Sequence, residues 1–217
     1  MNNNFLATPA PRLACLKIVQ ELNNIYPIFD TLVSKQQKEA LLRQRGKVVW
    51  MVGLSGSGKS TLARAAENTL HQQQKVTMLL DGDNLRTGVN NNLGFSEEDR
   101  TENIRRAAEV AKLFANCGLI TICSLISPTE RIRSMARDII GEEYFEVYID
   151  CPLEVCEERD VKGLYAKARR GEIPDFTGIS SPFEAPQSPD LSVPTHQQSL
   201  EESHQLLVDK ILAVTSI

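Results

Sequence analysis

No apolar run in this sequence approaches the roughly 18 residues that a membrane-spanning helix requires. The first 15 residues also lack the charged-then-apolar order of a secretory signal peptide. We therefore expect no membrane association and a cytoplasmic location.

Cysteine is sparse and follows no metal-binding pattern. The chain has five cysteines, an odd number, and none of them forms a C-x-x-C pair. This spacing excludes the common cysteine-based metal sites, and reduced thiols are the simplest account. Cys123 and Cys151 lie in apolar, strand-like runs, where we expect them to fill the core.

An excess of positive charge is also missing, because the formal net charge at pH 7 is −4. Nothing global therefore indicates nucleic acid binding, and no nucleic acid partner is predicted. Basic residues are clustered instead, with five Lys or Arg between residues 159 and 170. Such clusters suit a small anionic ligand, and solvated helix faces are the alternative explanation.

Short apolar runs alternate with helical patterns along most of the chain. The periodicity predicts buried strands, and it predicts helices between them. The predicted strands are residues 47–52, 76–80, 119–125, 145–150 and, as a short last strand, 191–193. This alternation is typical of an α/β fold whose parallel sheet is covered by helices on both faces.

Two segments lie outside this alternation. Residues 1–45 predict a helical extension, with helices over 12–23 and 28–44. Residues 160–190 contain three glycines and four prolines and predict an irregular lid. We therefore divide the chain into an extension, 1–45, and one domain, 46–217.

Three serines carry the pattern of a helix N-cap. Each of them precedes an acidic residue by three positions, as in a capping box. The three are Ser96, Ser127 and Ser199. Pro128, directly after the second serine, suits the first position of a helix.

The segment GLSGSGKS, residues 53–60, matches the phosphate-binding loop (P-loop) pattern G-x-x-x-x-G-K-[ST]. Its glycines allow successive N–H groups to point at a phosphate, and the following helix presents its positive end to the same phosphates. Lys59 should reach the β- and γ-phosphates, and the Ser60 hydroxyl should bind Mg²⁺. The predicted ATP-binding residues are Gly53, Leu54, Ser55, Gly56, Ser57, Gly58, Lys59, Ser60 and Thr61. With the strand before it and the helix after it, this loop predicts a P-loop kinase-type sheet.

The segment DGDNLR, residues 81–86, follows the second predicted strand. Parallel strands end at one edge of a sheet, so Asp81 and Asp83 should lie near the P-loop. One carboxylate can hold Mg²⁺, and we assign this to Asp81. Asp83 can orient or deprotonate an attacking hydroxyl. Ordinary turn chemistry is the alternative for this pair, but the shared edge favours phosphoryl transfer with catalytic Lys59, Asp81 and Asp83.

From about residue 46 to 214 the chain resembles adenylylsulfate kinases, which phosphorylate adenosine 5′-phosphosulfate (APS) on its 3′-hydroxyl. The combination of motifs is far more specific than the P-loop alone. The matching segments include GLSGSGKST (53–61), DGDNLR (81–86), LGFSEEDRTENIRR (93–106), LISP (125–128), PLEVCEERDVKGLYAKARRGEI (152–173) and FTGISSPFEAP (176–186).

The resemblance implies roles for individual residues of this sequence. Two phenylalanines that sandwich the adenine of APS in the family match Phe95 and Phe176, and arginines that contact APS match Arg86 and Arg100. Stacked rings suit a purine, and guanidinium groups suit phosphosulfate oxygens. The full implied substrate-binding set is Asp83, Asn84, Leu85, Arg86, Phe95, Arg100, Asn103, Ile126, Ser127, Lys162 and Phe176.

Ser127 has two interpretations. The corresponding serine is sometimes described in the family as a phosphoserine intermediate, which would make Ser127 catalytic. Direct in-line transfer needs no such intermediate, and substrate binding or helix capping explains the serine as well.

The resemblance implies a Mg²⁺-dependent transfer from ATP to APS that forms 3′-phosphoadenosine 5′-phosphosulfate (PAPS), and it implies a homodimer. One alternative is a related kinase that acts on another nucleotide-like acceptor. The other is an inactive homologue that binds nucleotide without turnover. The presence of Lys59, both aspartates, both phenylalanines and both arginines disfavours these alternatives.

Overall fold

The computed structural model describes residues 24–217. By internal contacts the chain divides into two units, Met1–Ser34 and Lys35–Ile217. In the first unit the described part contains one 3₁₀ turn, Phe29–Thr31. All the strands and α-helices of the described residues belong to the second unit.

Five parallel strands form the sheet in the described part of the chain, and their spatial order is β2-β3-β1-β4-β5. Their bounds are β1 Lys47–Val52, β2 Thr77–Asp81, β3 Ile120–Ser124, β4 Tyr144–Asp150 and β5 Leu191–Pro194. Each lies within two residues of its predicted position, and the α/β fold with a parallel sheet is confirmed.

Helices connect the strands. Their bounds are α1 Lys35–Leu42, α2 Lys59–Gln72, α3 Gly82–Arg86, α4 Glu97–Asn116, α5 Glu130–Ile140, α6 Leu153–Arg159, α7 Leu164–Arg169 and α8 Leu200–Thr215. A 3₁₀ turn, Gly141–Glu143, leads into β4. No helix among residues 24–217 has the length and apolar character needed to cross a membrane.

The alternation of side chains along β1 divides the core into two halves. Val48, Trp50 and Val52 point to the face covered by α4 and α5. Val49 and Met51 point to the opposite face, which is covered by α2 and α8. Because both faces are buried, the strand reads as a continuous apolar run, as expected for a parallel sheet.

Of the two N-terminal helices that we predicted, only the second can be compared with the structure. The segment 12–23 lies outside the described residues. In place of a helix over 28–44, the structure has the 3₁₀ turn and the shorter helix α1. The Glu39 carboxylate in α1 accepts a hydrogen bond from the Gly46 amide, 2.8 Å away, so α1 is tied to the start of β1.

Two of the three predicted helix caps are confirmed. Ser96 accepts from the Asp99 amide at the start of α4, and Ser199 forms a full capping box with Glu202 at the start of α8. The cap at Ser127 was wrong, because α5 begins only at Glu130, after Thr129. Ser127 instead turns the chain with a positive φ of 45°.

The predicted lid, residues 160–190, contains more regular structure than we expected. Helix α7 lies within it, and a single bridge pairs Thr177 with Ser181. The Glu184 amide donates to the Pro128 carbonyl at 2.8 Å, which ties the end of this segment to the loop before α5.

Candidate active site

The carboxyl ends of β1, β3 and β2 bring three predicted motifs to one edge of the sheet. In the strand register, Ser124 at the end of β3 lies beside Met51 of β1 and Asp81 of β2. The P-loop follows β1, the segment 81–86 begins at the last residue of β2, and Ile126 and Ser127 follow β3. The parallel register therefore assembles the site from segments that are distant in the sequence.

The P-loop has the backbone that its glycines predict. Gly56 and Gly58 have positive φ angles of 77° and 106°. A side chain at Gly56 would also place its Cβ 2.9 Å from the Cys156 carbonyl oxygen. Helix α2 begins directly after Gly58, so its N-terminal amides and positive dipole end face the loop.

Lys59 is buried beneath the loop. Its Nζ donates to the carbonyl oxygens of Gly53 at 2.8 Å and Leu54 at 2.7 Å. Burial lowers the pKa of Lys59 from its usual 10.5 to about 8, against opposing contributions from Cys156 and Asp81. The Lys59 side chain therefore loses its proton more easily than an exposed lysine does.

Ser60 and Asp81 meet at the edge of the sheet. The Ser60 hydroxyl donates to Asp81 Oδ2 at 2.8 Å and lies 3.1 Å from Ser124 Oγ. Hydroxyl and carboxylate oxygens are hard ligands that suit Mg²⁺. The described residues contain no cluster of three or more His, Cys, Asp or Glu able to hold a metal. This donor set fits an ion that takes its remaining ligands from phosphate and water.

Asp83 forms an ion pair with the lid. Lys162 Nζ lies 2.5 Å from Asp83 Oδ2, and both side chains are largely exposed. The Asp83 amide donates to Asp81 Oδ1 at 3.0 Å, which fixes the spacing of the two aspartates. A lid residue and a residue from the end of β2 are therefore directly paired.

Arg86 and Phe95 form a second pair. The Arg86 guanidinium carbon lies 4.4 Å from the centroid of the Phe95 ring, and its Nη1 donates to the Gly94 carbonyl at 2.8 Å. Phe95 keeps 64% of its surface exposed. A large aromatic ring that is held in place and left open to solvent is suited to stack on a planar ligand.

Arg100 connects the Phe95 segment to the lid. Its Nε donates to the Phe95 carbonyl at 2.8 Å, and its Nη1 donates to Thr177 Oγ1 at 2.8 Å. Its Nη2 donates to the Asp175 carbonyl. Phe176 lies between these lid contacts, with its ring 5.0 Å from that of Tyr165 in an edge-on arrangement. The two predicted stacking rings therefore belong to segments that one arginine joins.

Most of the other predicted substrate-binding residues have buried or partly buried side chains. Leu54 and Leu85 are buried in the core, whereas Asn84 is exposed. Asn103 is buried and accepts from Asn90 Nδ2 at 3.0 Å. Ser127 is buried beside the half-buried Ile126, and its hydroxyl accepts from Trp50 Nε1 at 3.0 Å.

Three residues that the sequence motifs did not identify hold the P-loop from outside. The Thr195 hydroxyl donates to the Ser57 carbonyl at 2.8 Å, and the Tyr165 hydroxyl donates to the Ser55 carbonyl at 2.9 Å. Arg159 Nη2 donates to the Thr195 carbonyl at 2.8 Å. Arg159 and Tyr165 lie in the matching segment 152–173, where the motif gave neither of them a role, and no local pattern indicates Thr195.

The chain is similar to known proteins over most of its length. A family model described as adenylylsulphate kinase matches residues 45–194. The adenylyl-sulfate kinase of Bacteroides fragilis is 59% identical over 195 residues, which are 89% of this chain and 96% of that protein.

Two solved structures extend this comparison. The Mycobacterium tuberculosis APS kinase CysC in complex with AMPPNP and APS matches with a TM-score of 0.74 and 49% identity, over 78% of this chain and 98% of that one. A hexameric APS kinase from Thiobacillus denitrificans matches with a TM-score of 0.59 and 28% identity, over 79% of this chain and 29% of that one. Motifs, fold and relatives agree, and this chain belongs to the adenylylsulfate kinase family.

Proposed function

We propose that this protein transfers the γ-phosphate of ATP to the 3′-hydroxyl of APS and forms PAPS. The observation that carries the proposal is the meeting of the P-loop, the Ser60–Asp81 pair and the Asp83–Lys162 pair at one edge of the sheet. Membership of the family and the name of the B. fragilis relative support the same reaction.

On the donor side, the P-loop amides and Lys59 bind the β- and γ-phosphates. Lys59 donates to the carbonyl oxygens of Gly53 and Leu54, so its ammonium group is held inside the loop. Charge that develops on the transferring group is stabilised by donors already in place, which is how most P-loop enzymes lower the barrier.

Ser60 and Asp81 are the residues that would hold Mg²⁺, as their oxygen atoms lie together at the site. When bound, the ion neutralises charge on the β- and γ-phosphates. The chemistry of these hydroxyl and carboxylate oxygens, which are hard ligands, supports this role.

On the acceptor side, Asp83 aligns the 3′-hydroxyl and accepts its proton. The hydroxyl oxygen forms a bond to the γ-phosphorus while the bond from that phosphorus to the β–γ bridging oxygen breaks, and ADP leaves. Lys162 lies against Asp83 and is therefore placed to contact APS as the lid covers the site.

APS is bound by aromatic rings and guanidinium groups. Phe95 and Phe176 stack on adenine, while Arg86 and Arg100 contact the phosphosulfate. The exposure of Phe95 and the link through Arg100 to the lid support this arrangement. Asn84, Leu85, Asn103, Ile126 and Ser127 complete the proposed APS-binding segments.

Ser127 takes part in the structure of the site and is not phosphorylated in turnover. Its hydroxyl is buried and already accepts a hydrogen bond from Trp50. Direct transfer from ATP to APS needs no enzyme-bound phosphate.

The test is a coupled assay of ADP release with Mg²⁺ and ATP, which compares APS, adenosine 5′-monophosphate and no acceptor. We expect release that depends on APS, with PAPS identified as the product. Equal release with adenosine 5′-monophosphate would favour the alternative of another acceptor. Tight binding of ATP and APS without release would favour the inactive homologue.

We also propose a homodimer in the cytoplasm. The family resemblance supports the dimer, although the related enzyme of T. denitrificans is described as hexameric. The free thiols of Cys117, Cys123, Cys151 and Cys156 suit a reducing compartment. Light scattering on the purified full chain separates a dimer from a monomer or hexamer.

A further inference from the structure

Arg133 is a buried arginine in α5 that lies behind the proposed acceptor site. Only 1% of its surface is exposed. Its Nη1 donates to the Ser127 carbonyl at 3.1 Å, and its Nη2 donates to Glu130 Oε2 at 2.9 Å. One rigid guanidinium group therefore connects the loop after β3 to the first turn of the helix that follows it.

The Ser127 backbone needs such support. Its φ of 45° lies in the left-handed region, which is unfavourable for a residue with a side chain. Residues in this conformation persist where their surroundings hold them from several sides. Here Trp50 donates a hydrogen bond to the Ser127 hydroxyl, and Arg133 donates one to the Ser127 carbonyl oxygen.

Acidic groups hold Arg133 itself. Glu146 in β4 is 2% exposed, and its Oε1 lies 3.8 Å from Arg133 Nε. The same carboxylate accepts from the Tyr144 hydroxyl at 2.8 Å and from Arg137 Nη2 at 3.2 Å. A buried guanidinium is stable only when paired in this way, so the position of Arg133 is set by both α5 and the sheet.

We infer that Arg133 is a positioning residue for APS binding, which acts by fixing the segment Ile126–Ser127. The inference rests on the proposed function, because that segment lies on the acceptor side of the site. No hydrogen bond or ion pair joins Arg133 to Lys59 or to the rest of the P-loop, so substitution of Arg133 should affect APS binding and not ATP binding.

The test compares Arg133→Lys with the control Arg137→Lys in the full chain. Lysine keeps the positive charge next to Glu130 and Glu146. It lacks the planar guanidinium group, which donates to the Ser127 carbonyl at the same time. Arg137 contacts the same two glutamates and donates no hydrogen bond to Ser127. A cavity of about 560 Å³ beside both arginines leaves room for the shorter side chain to be hydrated.

For Arg133→Lys we expect the KM for APS to rise by about 10- to 100-fold, as for loss of a charge-assisted hydrogen bond. The kcat and the KM for ATP should stay within about threefold. Arg137→Lys should leave all three values within about threefold. An unchanged KM for APS in Arg133→Lys, or an equal rise in Arg137→Lys, would overturn the inference.

A second readout does not depend on activity. Trp50 is the single tryptophan of the chain and donates directly to Ser127 Oγ. Arg133→Lys should shift its fluorescence maximum and increase its quenching by acrylamide, while Arg137→Lys should not. If the wild-type protein showed no APS-dependent turnover, the proposed function would fail, and this fluorescence comparison would still test the positioning of Ser127.

A third variant covers the case in which Arg133→Lys does not fold. Glu130→Gln removes the charge of a half-exposed partner and leaves Glu146 paired with the buried guanidinium. We expect a smaller rise in the KM for APS, of about five- to tenfold, with the KM for ATP unchanged. No change in that variant would overturn the inference.

Discussion

The Lys162 ammonium lies 2.5 Å from the Asp83 carboxylate, although the two residues are 79 positions apart in the chain. The lid and the segment after β2 are thus joined through the residue that we propose as the catalytic base. Both side chains are largely exposed, at 60% and 75%, so the pair contributes little to stability. We therefore expect the pair to act in function and not in stability, and this can be tested by substitution of either residue.

Asp83→Asn should lower kcat by about 10²- to 10⁴-fold, the usual contribution of a general base. Asparagine keeps the size of the side chain, so the Kd for APS should change only a few-fold. Steady-state kinetics and calorimetric titration with APS measure the two values. Asp138→Asn, at an exposed position of α5, is the control. Near-normal turnover of Asp83→Asn would end its catalytic assignment.

Lys162→Gln should raise the KM for APS by about 10- to 100-fold, because a charge-assisted contact with the substrate is lost. The free energy of unfolding should change by less than about 1 kcal/mol, since the ion pair is exposed. Lys167 is another exposed lid lysine, and Lys167→Gln should change neither the KM for APS nor the free energy of unfolding appreciably. Equal effects of the two variants on the KM would argue against a specific role for Lys162.

Phe95→Ala should weaken APS binding by about 1–3 kcal/mol, the range for loss of one aromatic ring that stacks on a base. Phe95 is 64% exposed, so the fold should tolerate the change. Leu113→Ala, at a position of similar exposure, is the control for loss of an exposed apolar side chain. Titration with APS and thermal unfolding of both variants distinguish a loss of stacking from a loss of stability. An unchanged affinity of Phe95→Ala for APS would contradict the stacking role.

Binding of an ATP analogue near pH 8 should take up protons. Burial lowers the pKa of Lys59 to about 8, so roughly half of the side chains are neutral at that pH. The phosphates favour the charged ammonium, and each neutral Lys59 should bind a proton with them. Binding should therefore take up protons, and the affinity for the ATP analogue should fall as the pH rises above 8. Calorimetry in buffers of different ionisation enthalpy measures this uptake.

Lys59→Arg is the control for the proton measurement, because an arginine stays charged throughout this range. The variant should show much less dependence on the buffer at pH 8. Equal proton uptake by both proteins would assign the proton to another group.

Ser127 should carry no phosphate during turnover. Incubation with ATP labelled in the γ-phosphate, followed by denaturation, should leave the label on small molecules in the presence or absence of APS. Ser127→Ala should reduce stability by about 1–3 kcal/mol, because the buried Trp50 N–H loses its acceptor. Stoichiometric label on Ser127 would instead support the phosphoserine interpretation.

Much of the fold could be predicted from local sequence. The five strands follow from apolar runs, because a strand buried on both faces contains few polar residues. The caps at Ser96 and Ser199 follow from a pattern that acts within four residues. At Ser127 the same pattern was misleading, since the hydroxyl is used by Trp50, a residue 77 positions away.

By itself the sequence determined the phosphate-binding loop, the alternation of strands and helices and the family. These depend on residue types at fixed short spacings, such as the glycines of the P-loop and the two aspartates at the end of β2. Only the tertiary structure decided that Lys162 pairs with Asp83, that Thr195 and Tyr165 hold the P-loop, and that Arg133 supports Ser127. These contacts join segments brought together by the parallel register and by the packing of α5 on the sheet. No local pattern encodes them, because each depends on where two distant parts of the chain meet.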